Sequence, residues 1–276
     1  MVATPIGNIA DISLRALHVL SLADTVACED TRRTATLLQA YGLHRPLLAV
    51  HEHNEAQTAQ AVVQHLREGQ RVAYVSDAGT PCVSDPGARL CAAVMTAGMR
   101  VLPVPGPSSV TALLSVGAVS NSDGHFVFCG FLSPKASERQ QALQAIATES
   151  RACVLLEAPH RIEALALDMT VLGQRPLTVG RELTKRFEEV AQIPAAQLHT
   201  WLQSEPHRTR GEFVLLVHPE QAKASDNHAL SATELHTLKL LLTELPLKTA
   251  VKLCAQITGL PRNTVYAAAL KFKVVD

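Results

Sequence analysis

The stretch from Val75 to Gly87, Val-Ser-Asp-Ala-Gly-Thr-Pro-Cys-Val-Ser-Asp-Pro-Gly, constrains the fold more than any other part of the chain. An apolar run at residues 72–75 precedes it, and a run of helical composition at 89–97 follows it. A strand, a loop of small residues and a helix form ligand sites at strand ends in open α/β sheets. Ordinary βα turns have the same ingredients, because Gly and Pro occur in turns of every kind. The stretch therefore predicts an α/β fold and leaves ligand binding open.

Two more loops of the same kind favour a ligand. Residues 2–8 lead into a helix that Asp11 or Ser13 could cap, and residues 101–109 lead into an apolar helix with Ser108 or Ser109 as its N-cap. Neither loop contains GxGxxG, and none of the three contains the lysine of a phosphate-binding GxxxxGK[ST]. The loops predict a small polar ligand rather than a nucleoside triphosphate or a dinucleotide.

Strand-like and helical runs alternate along the chain. In the first half, strands are predicted at 2–4, 25–28, 46–50, 71–75 and 100–103, and helices at 14–22, 31–41, 56–68 and 89–97. This alternation predicts a mainly parallel sheet covered on both faces. In the second half, strands are predicted at 126–131, 153–157, 177–182, 187–193 and 211–217, and helices near 138–148, 162–172 and 195–202. The third and fourth of these strands are close enough for a hairpin, so this sheet should be mixed.

Polar stretches at 120–124 and 218–228 predict the boundaries of three domains: an N-terminal α/β domain at 1–119, a C-terminal α/β domain at 120–220 and a small helical tail at 229–276. Helices at 248–257 and 263–272, with a turn at 258–262, have the outline of a helix-turn-helix. The tail is locally basic, which suits phosphate contacts; its charged residues from position 246 are Lys248, Lys252, Arg262, Lys271, Lys273 and Asp276. The alternative is a helical hairpin that packs on the body and has a solvated basic face.

Composition excludes several classes of protein. The formal net charge is zero, so any nucleic-acid contact must come from local patches. No apolar run reaches the roughly 18 residues of a membrane span, and no signal peptide is evident, so we expect a cytoplasmic protein. The six cysteines are scattered and indicate reduced thiols rather than disulfides or zinc. His51 and His53 have no third potential ligand at a spacing typical of zinc sites, so we expect no metal.

Seven short motifs occur in order along the chain. They are Ala3-Thr-Pro-Ile-Gly-Asn-Ile-Ala-Asp11, Cys28-Glu-Asp-Thr-Arg-Arg33, His51-Glu-His-Asn54, Ser76-Asp-Ala-Gly-Thr-Pro81, Val104-Pro-Gly-Pro-Ser-Ser109, Glu157-Ala-Pro-His-Arg161 and Gly180-Arg-Glu-Leu-Thr-Lys-Arg-Phe-Glu188. Together they resemble the tetrapyrrole-methylase superfamily and, within it, the branch that methylates small-subunit ribosomal RNA. The resemblance runs from Val2 to about Val217 and continues into the tail. Members of the superfamily carry several apolar residues before the first motif, so we expect the first strand to be clipped.

The resemblance implies a two-domain tetrapyrrole-methylase-like fold: a parallel-rich sheet, a mixed sheet, a ligand cleft between them and a small helical C-terminal appendage. It implies that S-adenosyl-L-methionine binds in the cleft. The residues that it places around this methyl donor are Ile6, Gly7, Asp77, Ala78, Gly79, Thr80, Val83, Ser108, Ser109, Leu156, Arg181, Glu182, Gly211 and Glu212. Asp77 and Glu182 are the acids for the ribose hydroxyls or the amino group. Glu182 could instead pair with Arg181 or Lys185.

The activity that the resemblance implies is methylation of the 2′-oxygen of a cytidine in the decoding region of 16S ribosomal RNA, by a homodimer. Alignment supplies much of the rate of methyl transfer, and a base would help a poorly nucleophilic hydroxyl. The candidates for this base are Asp30, Glu29, Glu157 and Lys185, and the sequence singles out none of them. The candidate RNA contacts are Arg32, Arg33, Arg161, Lys185, Lys248, Lys252 and Arg262, because arginine forks match phosphate oxygens.

Two other functions stay open at this point. Relatives in the superfamily methylate tetrapyrroles or a modified protein histidine, although such enzymes would not need a basic helical tail. A non-catalytic RNA-binding protein could also retain the fold, although the donor loops are intact. The pair Arg32 and Arg33 could, like most surface arginine pairs, be a solvated helix start.

Overall fold

The computed structural model describes residues 1–50, 55–119, 124–219 and 230–272. These residues form two compact units, Met1–Glu220 and Gln221–Asp276. The helices of the first unit are Leu14–Leu22 (α1), Thr31–Ala40 (α2), Glu55–Arg67 (α3), Ala88–Thr96 (α4), Ser109–Val116 (α5), Ala136–Thr148 (α6), Ile162–Asp168 (α7) and Leu198–Gln203 (α8). Its strands are Thr25–Cys28 (β1), Leu47–Ala49 (β2), Val72–Val75 (β3), Phe126–Phe131 (β4), Ala152–Glu157 (β5), Pro176–Arg181 (β6), Glu189–Pro194 (β7) and Phe213–Val217 (β8).

The first sheet is parallel and has the strand order β2-β1-β3. Successive side chains of β1 point to opposite faces, as the two-residue period of a strand requires. Val26 and Cys28 pack with Leu20 of α1 on one face, and Ala27 packs with Val62 of α3 on the other. The prediction of a parallel sheet covered on both faces is confirmed.

Two of the predicted strands, at residues 2–4 and 100–103, are wrong. The first makes only two isolated bridges, Val2 with Val104 in parallel and Thr4 with Gly79 in antiparallel orientation, and the second forms no strand. Residues 2–4 donate their N–H groups to three different segments, those of Tyr74, Val104 and Gly79, so they form no continuous ladder. At residues 100–103 prolines explain the difference, because they have no N–H to donate to a ladder. Pro103 and Pro105 flank Val104, so a single N–H of this segment donates, to the carbonyl of Met1 at 2.8 Å.

The second sheet is mixed and has the strand order β4-β5-β8-β6-β7. Strand β4 runs parallel to β5 and the other pairs are antiparallel, with β6 and β7 forming the predicted hairpin. Helix α5, from the first half of the chain, packs Val110 and Leu113 against Val154 and Leu216 of this sheet. A Cβ added at Gly180 would lie 2.8 Å from Leu113 Cδ1, so glycine permits this close packing. The packing of α5 brings the loops of both sheets together.

The described residues of the tail, 230–272, form three helices rather than the two predicted: Ala232–Glu244 (α9), Leu247–Thr258 (α10) and Arg262–Phe272 (α11). Ser231 and Glu234 form a reciprocal capping box at the start of α9, a signal that its sequence Ser-Ala-Thr-Glu carries. The three helices bury a common cluster that includes Leu238, Cys254 and Val265. Because α9 supplies part of this core, α10 and α11 are not a self-sufficient pair.

The predicted division of the first unit at residues 119 and 120 stays a prediction, and residues 120–123 lie outside the described ranges. The polar stretch at 218–228 lies outside them beyond Pro219. Among the described residues, no helix has both the length and the apolar character needed to cross a membrane.

Candidate functional site

Three loops that the sequence predicted to bind a ligand meet at Gly79. This residue exchanges backbone hydrogen bonds with Thr4, at 2.9 and 3.0 Å. Its φ of +79° is one that glycine adopts readily, and an added Cβ would lie 3.4 Å from Ile6 Cγ2. The hydroxyl of Thr80 donates to the carbonyl of Pro107, 3.0 Å away, in the loop before α5. The first, fourth and fifth sequence motifs are therefore neighbours in space.

Polar side chains at the carboxyl ends of β1 and β3 form a connected group. Asp77 Oδ1 accepts a hydrogen bond from the backbone N–H of Asp30 at 3.1 Å, and its Oδ2 lies 3.2 Å from Arg33 Nη1. Asp30 caps α2 by accepting from the N–H of Arg32 at 2.8 Å, and its carboxylate also holds the Arg32 guanidinium. Side chains predicted to serve the donor and the RNA thus lie next to each other at this edge of the sheet.

A second polar group lies on the hairpin side of the cleft. Lys185 Nζ donates to Glu182 Oε1 at 2.8 Å and to Glu212 Oε2 at 3.0 Å. Glu182 Oε1 also accepts the backbone N–H of Glu212 at 2.9 Å. The alternative that Glu182 pairs with Lys185 therefore holds in the structure, and its role toward a ligand stays a prediction.

Two glycines allow the chain to close around this second group. A Cβ at Gly7 would lie 2.4 Å from Lys185 Cγ, and one at Gly211 would lie 2.4 Å from Glu182 Cγ. Gly211 also has a φ of +92°, where an L side chain is strained. The approach at Gly7 joins the Ile6-Gly7 loop of the first half to the hairpin of the second, and the approach at Gly211 joins the loop before β8 to the same hairpin.

A cavity of about 360 Å³ is lined in part by Lys185 and Glu212 of this second group. Its volume is within the range of roughly 300–1,000 Å³ that is typical of small-molecule sites. The residues that line it are Ile6, Ser109, Phe131, Leu156, Glu157, Ala158, Pro159, His160, Leu183, Lys185, Glu212, Phe213 and Val214. Six of them were singled out from the sequence: Ile6, Ser109, Leu156, Glu157, Lys185 and Glu212. The sequence interpretation missed Phe131 and His160, although His160 belongs to the Glu-Ala-Pro-His-Arg motif.

Another cavity of about 360 Å³ lies in the first unit, lined mainly by apolar residues such as Val19, Leu66 and Val94. None of the residues predicted for the donor, the base or the RNA lines it. Its chemistry is that of a core surface, so the cleft cavity is the candidate site.

The other predicted donor residues do not line the cleft cavity. Asp77, Ala78, Gly79, Thr80 and Val83 belong to the loop after β3, and Val83 packs in the same apolar cluster as Ile6 and Leu156. Ser108 is the N-cap residue of α5, although its side chain makes no capping hydrogen bond.

Arg181 is buried, with 4% of its surface exposed. Its guanidinium donates to the backbone carbonyls of Phe187, His207 and Arg210. The side chain is occupied in holding two loops together, which leaves its backbone as the part that could meet a ligand.

Two of the predicted RNA anchors differ in accessibility. The Arg32 side chain is 89% exposed. Arg161, in contrast, donates to the carbonyl of Leu132, and its Nε lies 3.0 Å from Glu157 Oε1. Arg33, at the start of α2, and Lys248, Lys252 and Arg262, in the tail helices, are exposed. An RNA role for each stays a prediction. The guanidinium of Arg32 is paired with Asp30 but exposed, so it suits that role better than the largely buried one of Arg161.

Protonation bears on two of the four candidate bases, Asp30 and Lys185. The hydrogen bonds from Arg32 lower the pKa of Asp30 to about 2, so this carboxylate is a weak base at neutral pH. Burial would lower the pKa of Lys185, but its hydrogen bonds to Glu182 and Glu212 outweigh burial and raise it. Lys185 is therefore an ammonium at neutral pH and suits an anion contact better than proton abstraction.

Asp85, in the loop after β3, is an acid that the sequence interpretation did not assign. Burial and the negative charge of Glu29 raise its pKa to about 6, against the hydrogen bond with Ser76 that lowers it. Its neighbour Ser84 reaches the second sheet, because a Cβ at Gly130 of β4 would lie 3.2 Å from Ser84 Oγ. The Ser-Asp-Pro-Gly end of the opening motif was the signal for this residue.

Metal binding gains no support from the part of the chain that the structure describes, since no three His, Cys, Asp or Glu side chains cluster there. The residues His51 and His53 lie outside the described ranges, so the expected absence of a metal stays a prediction. All six cysteines are free thiols.

The site residues fit an adenosyl sulfonium ligand chemically. Apolar walls from Ile6, Leu156 and Val214 can cover an adenine, and the carboxylate of Glu212 can face a positive charge. The first turn of α5 begins at Ser109 and presents backbone N–H groups where a ligand carboxylate could accept.

Comparison with known proteins places the chain among methyltransferases. The family described as Tetrapyrrole (Corrin/Porphyrin) Methylases matches residues 1–199, and the one described as RsmI C-terminal HTH domain matches residues 228–273. The chain is 44% identical to the ribosomal RNA small subunit methyltransferase I of Pseudomonas aeruginosa over 273 residues, 98% of this chain and 96% of that protein. It is 45% identical to the protein of that name from Neisseria meningitidis serogroup B over 274 residues, 99% and 93% of the two chains.

Solved structures show the same fold at lower identity. The uroporphyrin-III-C-methyltransferase from Thermus thermophilus has a TM-score of 0.58 and 21% identity, with 79% of this chain and 92% of that chain covered. A structure of the Thermus thermophilus enzyme complexed with S-adenyl homocysteine has a TM-score of 0.55 and 17% identity, with 78% and 95% covered.

Proposed function

This chain belongs to the tetrapyrrole methylase family, and from that premise we propose that it transfers a methyl group from S-adenosyl-L-methionine to 16S ribosomal RNA. The observation that carries the proposal is the cleft cavity, where Ile6, Ser109, Glu157 and Lys185 come together from four separate motifs. The names of the relatives favour ribosomal RNA over a tetrapyrrole or a protein as the acceptor.

We assign the methyl donor to this cavity. The bound donor supplies a methyl group that is already activated on a sulfonium. Leu156 and Val214 cover its apolar part, and the N-terminus of α5 at Ser109 meets its carboxylate. Glu182 keeps Lys185 in place at the cavity wall, and the two glycines Gly7 and Gly211 allow the loops to close on the ligand.

The acceptor in this proposal is the 2′-hydroxyl of a cytidine in the decoding region of the small subunit. Asp85 accepts the hydroxyl proton. Its neighbour Ser84 lies against Gly130, which directly precedes the cavity residue Phe131, and its pKa of about 6 leaves it ionised yet basic at neutral pH. Asp30 holds its proton too weakly and Lys185 too strongly for this role. Arg32 and Arg33, at the start of α2, contact the phosphates of the RNA.

We propose that the tail adds substrate affinity. Lys248 and Lys252 lie one turn apart on α10, Arg262 begins α11, and all three are exposed. The match to a helix-turn-helix family over residues 228–273 supports this role. Since the substrate is ribosomal, the proposed location is the cytoplasm.

The protein acts as a homodimer in this proposal. Strand β4 is an edge of the second sheet, and its Phe126 and Phe128 are 41% and 36% exposed. An edge strand with exposed aromatic side chains is a surface on which a second chain can pack. Phe128→Lys should therefore give a monomer in analytical ultracentrifugation, while a matched change of another exposed apolar residue, Leu167→Lys, should leave the dimer intact. A wild-type protein that sediments as a monomer would reject the dimer.

The test of the function is transfer of a labelled methyl group. Purified protein and labelled S-adenosyl-L-methionine are mixed with small ribosomal subunits, naked 16S ribosomal RNA or a porphyrinoid, and the product is digested to nucleosides. The proposal expects 2′-O-methylcytidine from the ribosomal substrates alone. Label in the porphyrinoid would favour the tetrapyrrole alternative, and no label anywhere would favour a non-catalytic RNA-binding protein.

A further inference from the structure

We propose that the exposed surface formed by Arg186, Phe187, His207 and Arg210, here termed the hairpin patch, binds single-stranded RNA beside the methyl-transfer cleft. Phe187 stacks on a base, and the two guanidinium groups contact phosphates. The inference rests on the proposed function for the identity of the RNA, but RNA binding by the patch can be measured without methylation.

The buried side chain of Arg181 holds the patch together. Its Nε donates to the carbonyl of Arg210 at 2.7 Å, and its Nη2 to that of His207 at 2.8 Å. Its Nη1 donates to the carbonyl of Phe187 at 3.2 Å. One guanidinium thus fixes the turn between β6 and β7 beside the loop that precedes β8, so these residues form one continuous surface.

Phe187 is the aromatic platform of this surface. It is 65% exposed at the hairpin turn, and the guanidinium carbon of Arg186 lies 5.5 Å from its ring centroid. The ring is not part of the hydrophobic core, and a cation lies beside it. Such a ring is suited to stack on an unpaired base. Stacking on a base would remove from water the apolar surface of the ring that is exposed in the protein alone.

Charge favours RNA as the partner. None of the ion pairs formed by the described residues uses Arg186 or Arg210. Of the nearby acids, Glu189 pairs with Arg208 at 2.7 Å. Glu188, which accepts the N–H of Thr184, and Glu205, on the adjoining loop, are exposed acids that oppose the patch.

The patch borders the cleft. Lys185 directly precedes Arg186, and Glu212 follows Arg210 by two residues, and both Lys185 and Glu212 line the cavity. A strand of RNA that stacks a base on Phe187 therefore continues toward the site of methyl transfer. The patch would hold a nucleotide next to the target rather than the target itself.

The experiment measures binding of a short fluorescein-labelled single-stranded RNA from the small-subunit sequence by anisotropy at several salt concentrations. Phe187→Ala and Phe187→Leu should lose about tenfold in affinity, whereas Phe187→Tyr should keep it, because stacking needs a ring. The double variant Arg186→Ala/Arg210→Ala should lower the slope of log affinity against log salt by about 1.4, for two lost phosphate contacts. Calorimetry should show unchanged affinity for S-adenosyl-L-methionine.

Matched controls are Met95→Ala, since Met95 is also 65% exposed, and Arg67→Ala, an exposed arginine on α3. Both should bind the RNA like the wild type. Unchanged RNA affinity in Phe187→Ala and in the double variant would overturn the proposal. So would a change from dimer to monomer in Phe187→Ala, which would assign the patch to a second copy of the chain. If the wild type binds RNA but methylates none, the proposed function fails, while loss of binding in Phe187→Ala still supports the patch.

Discussion

At the scale of single residues, Asp85 combines a cost in stability with a chemical use. Its pKa is raised from 3.8 to about 6, so the ionised side chain destabilises the fold. This cost is absent below about pH 4, where both folded and unfolded states are protonated, and it is complete above pH 6. Charged side chains that are kept in a buried position at a cost in stability are typical of functional sites.

Asp85→Asn should therefore have opposite effects on activity and stability. We expect kcat to fall by about 10²–10⁴-fold, because the proton acceptor is lost. The unfolding temperature should rise at pH 7 relative to the wild type and should match it near pH 4. Single-turnover methylation and calorimetric melting at both pH values test this, with donor affinity as the control for the site. An unchanged kcat would reject Asp85 as the base.

The side chain of Arg32 is more exposed than those of Arg33 and Arg161, two other predicted RNA contacts. Arg32→Ala should raise the KM for ribosomal substrate several-fold with little change in donor affinity, since the side chain is 89% exposed and lies outside the cavity lining. Arg32→Lys should restore only part of the loss, because an ammonium cannot form a two-pronged phosphate contact. Arg67→Ala is the matched control. A loss of donor affinity instead would place Arg32 at the cofactor.

At the scale of secondary-structure elements, the capping box of α9 is a local device that supports the whole tail. Ser231→Ala removes the side chain that accepts the N–H of Glu234, which should cost about 1 kcal/mol of helix stability. Hydrogen exchange should accelerate in α9, α10 and α11, which share one core, and should stay unchanged in β5 and β8. Thr233→Ala, at an exposed position of the same helix, is the control. Faster exchange in the sheet as well would contradict independent stability of the two units.

At the scale of the whole molecule, the three tail helices share one core, so a truncation should remove all three together. Deleting residues 221–276 removes one compact unit, so the remaining chain should fold and bind S-adenosyl-L-methionine with unchanged affinity. Its affinity for ribosomal substrate should fall, and the salt slope should decrease by about 2 if Lys248, Lys252 and Arg262 each contact a phosphate. Deletion from Pro246 onward should instead give an aggregating protein, because Leu238 of α9 loses its cover. A shortened chain with full activity and an unchanged slope would show that the tail does not bind RNA.

Features that depend on local patterns followed from the sequence alone. Alternating apolar runs predicted the parallel and the mixed sheet and the β6–β7 hairpin, because strand period, helix period and Gly-Pro turns are short-range properties. Ser13 was correctly expected as an N-cap for the same reason. The motifs also identified the family.

The roles open to each side chain in the motifs depend instead on packing between distant segments. Glu182 and Lys185 are near neighbours in the sequence, so their pairing could be expected. The bond from Lys185 to Glu212 depends on a contact between distant segments. The raised pKa of Asp85 depends on burial and on the charge of Glu29, which is more than fifty positions away in the chain. Whether residues 100–103 form a strand depends on which of their N–H groups face a neighbouring strand. Burial, charge and ladder pairing are properties of packed neighbours, which no local pattern contains.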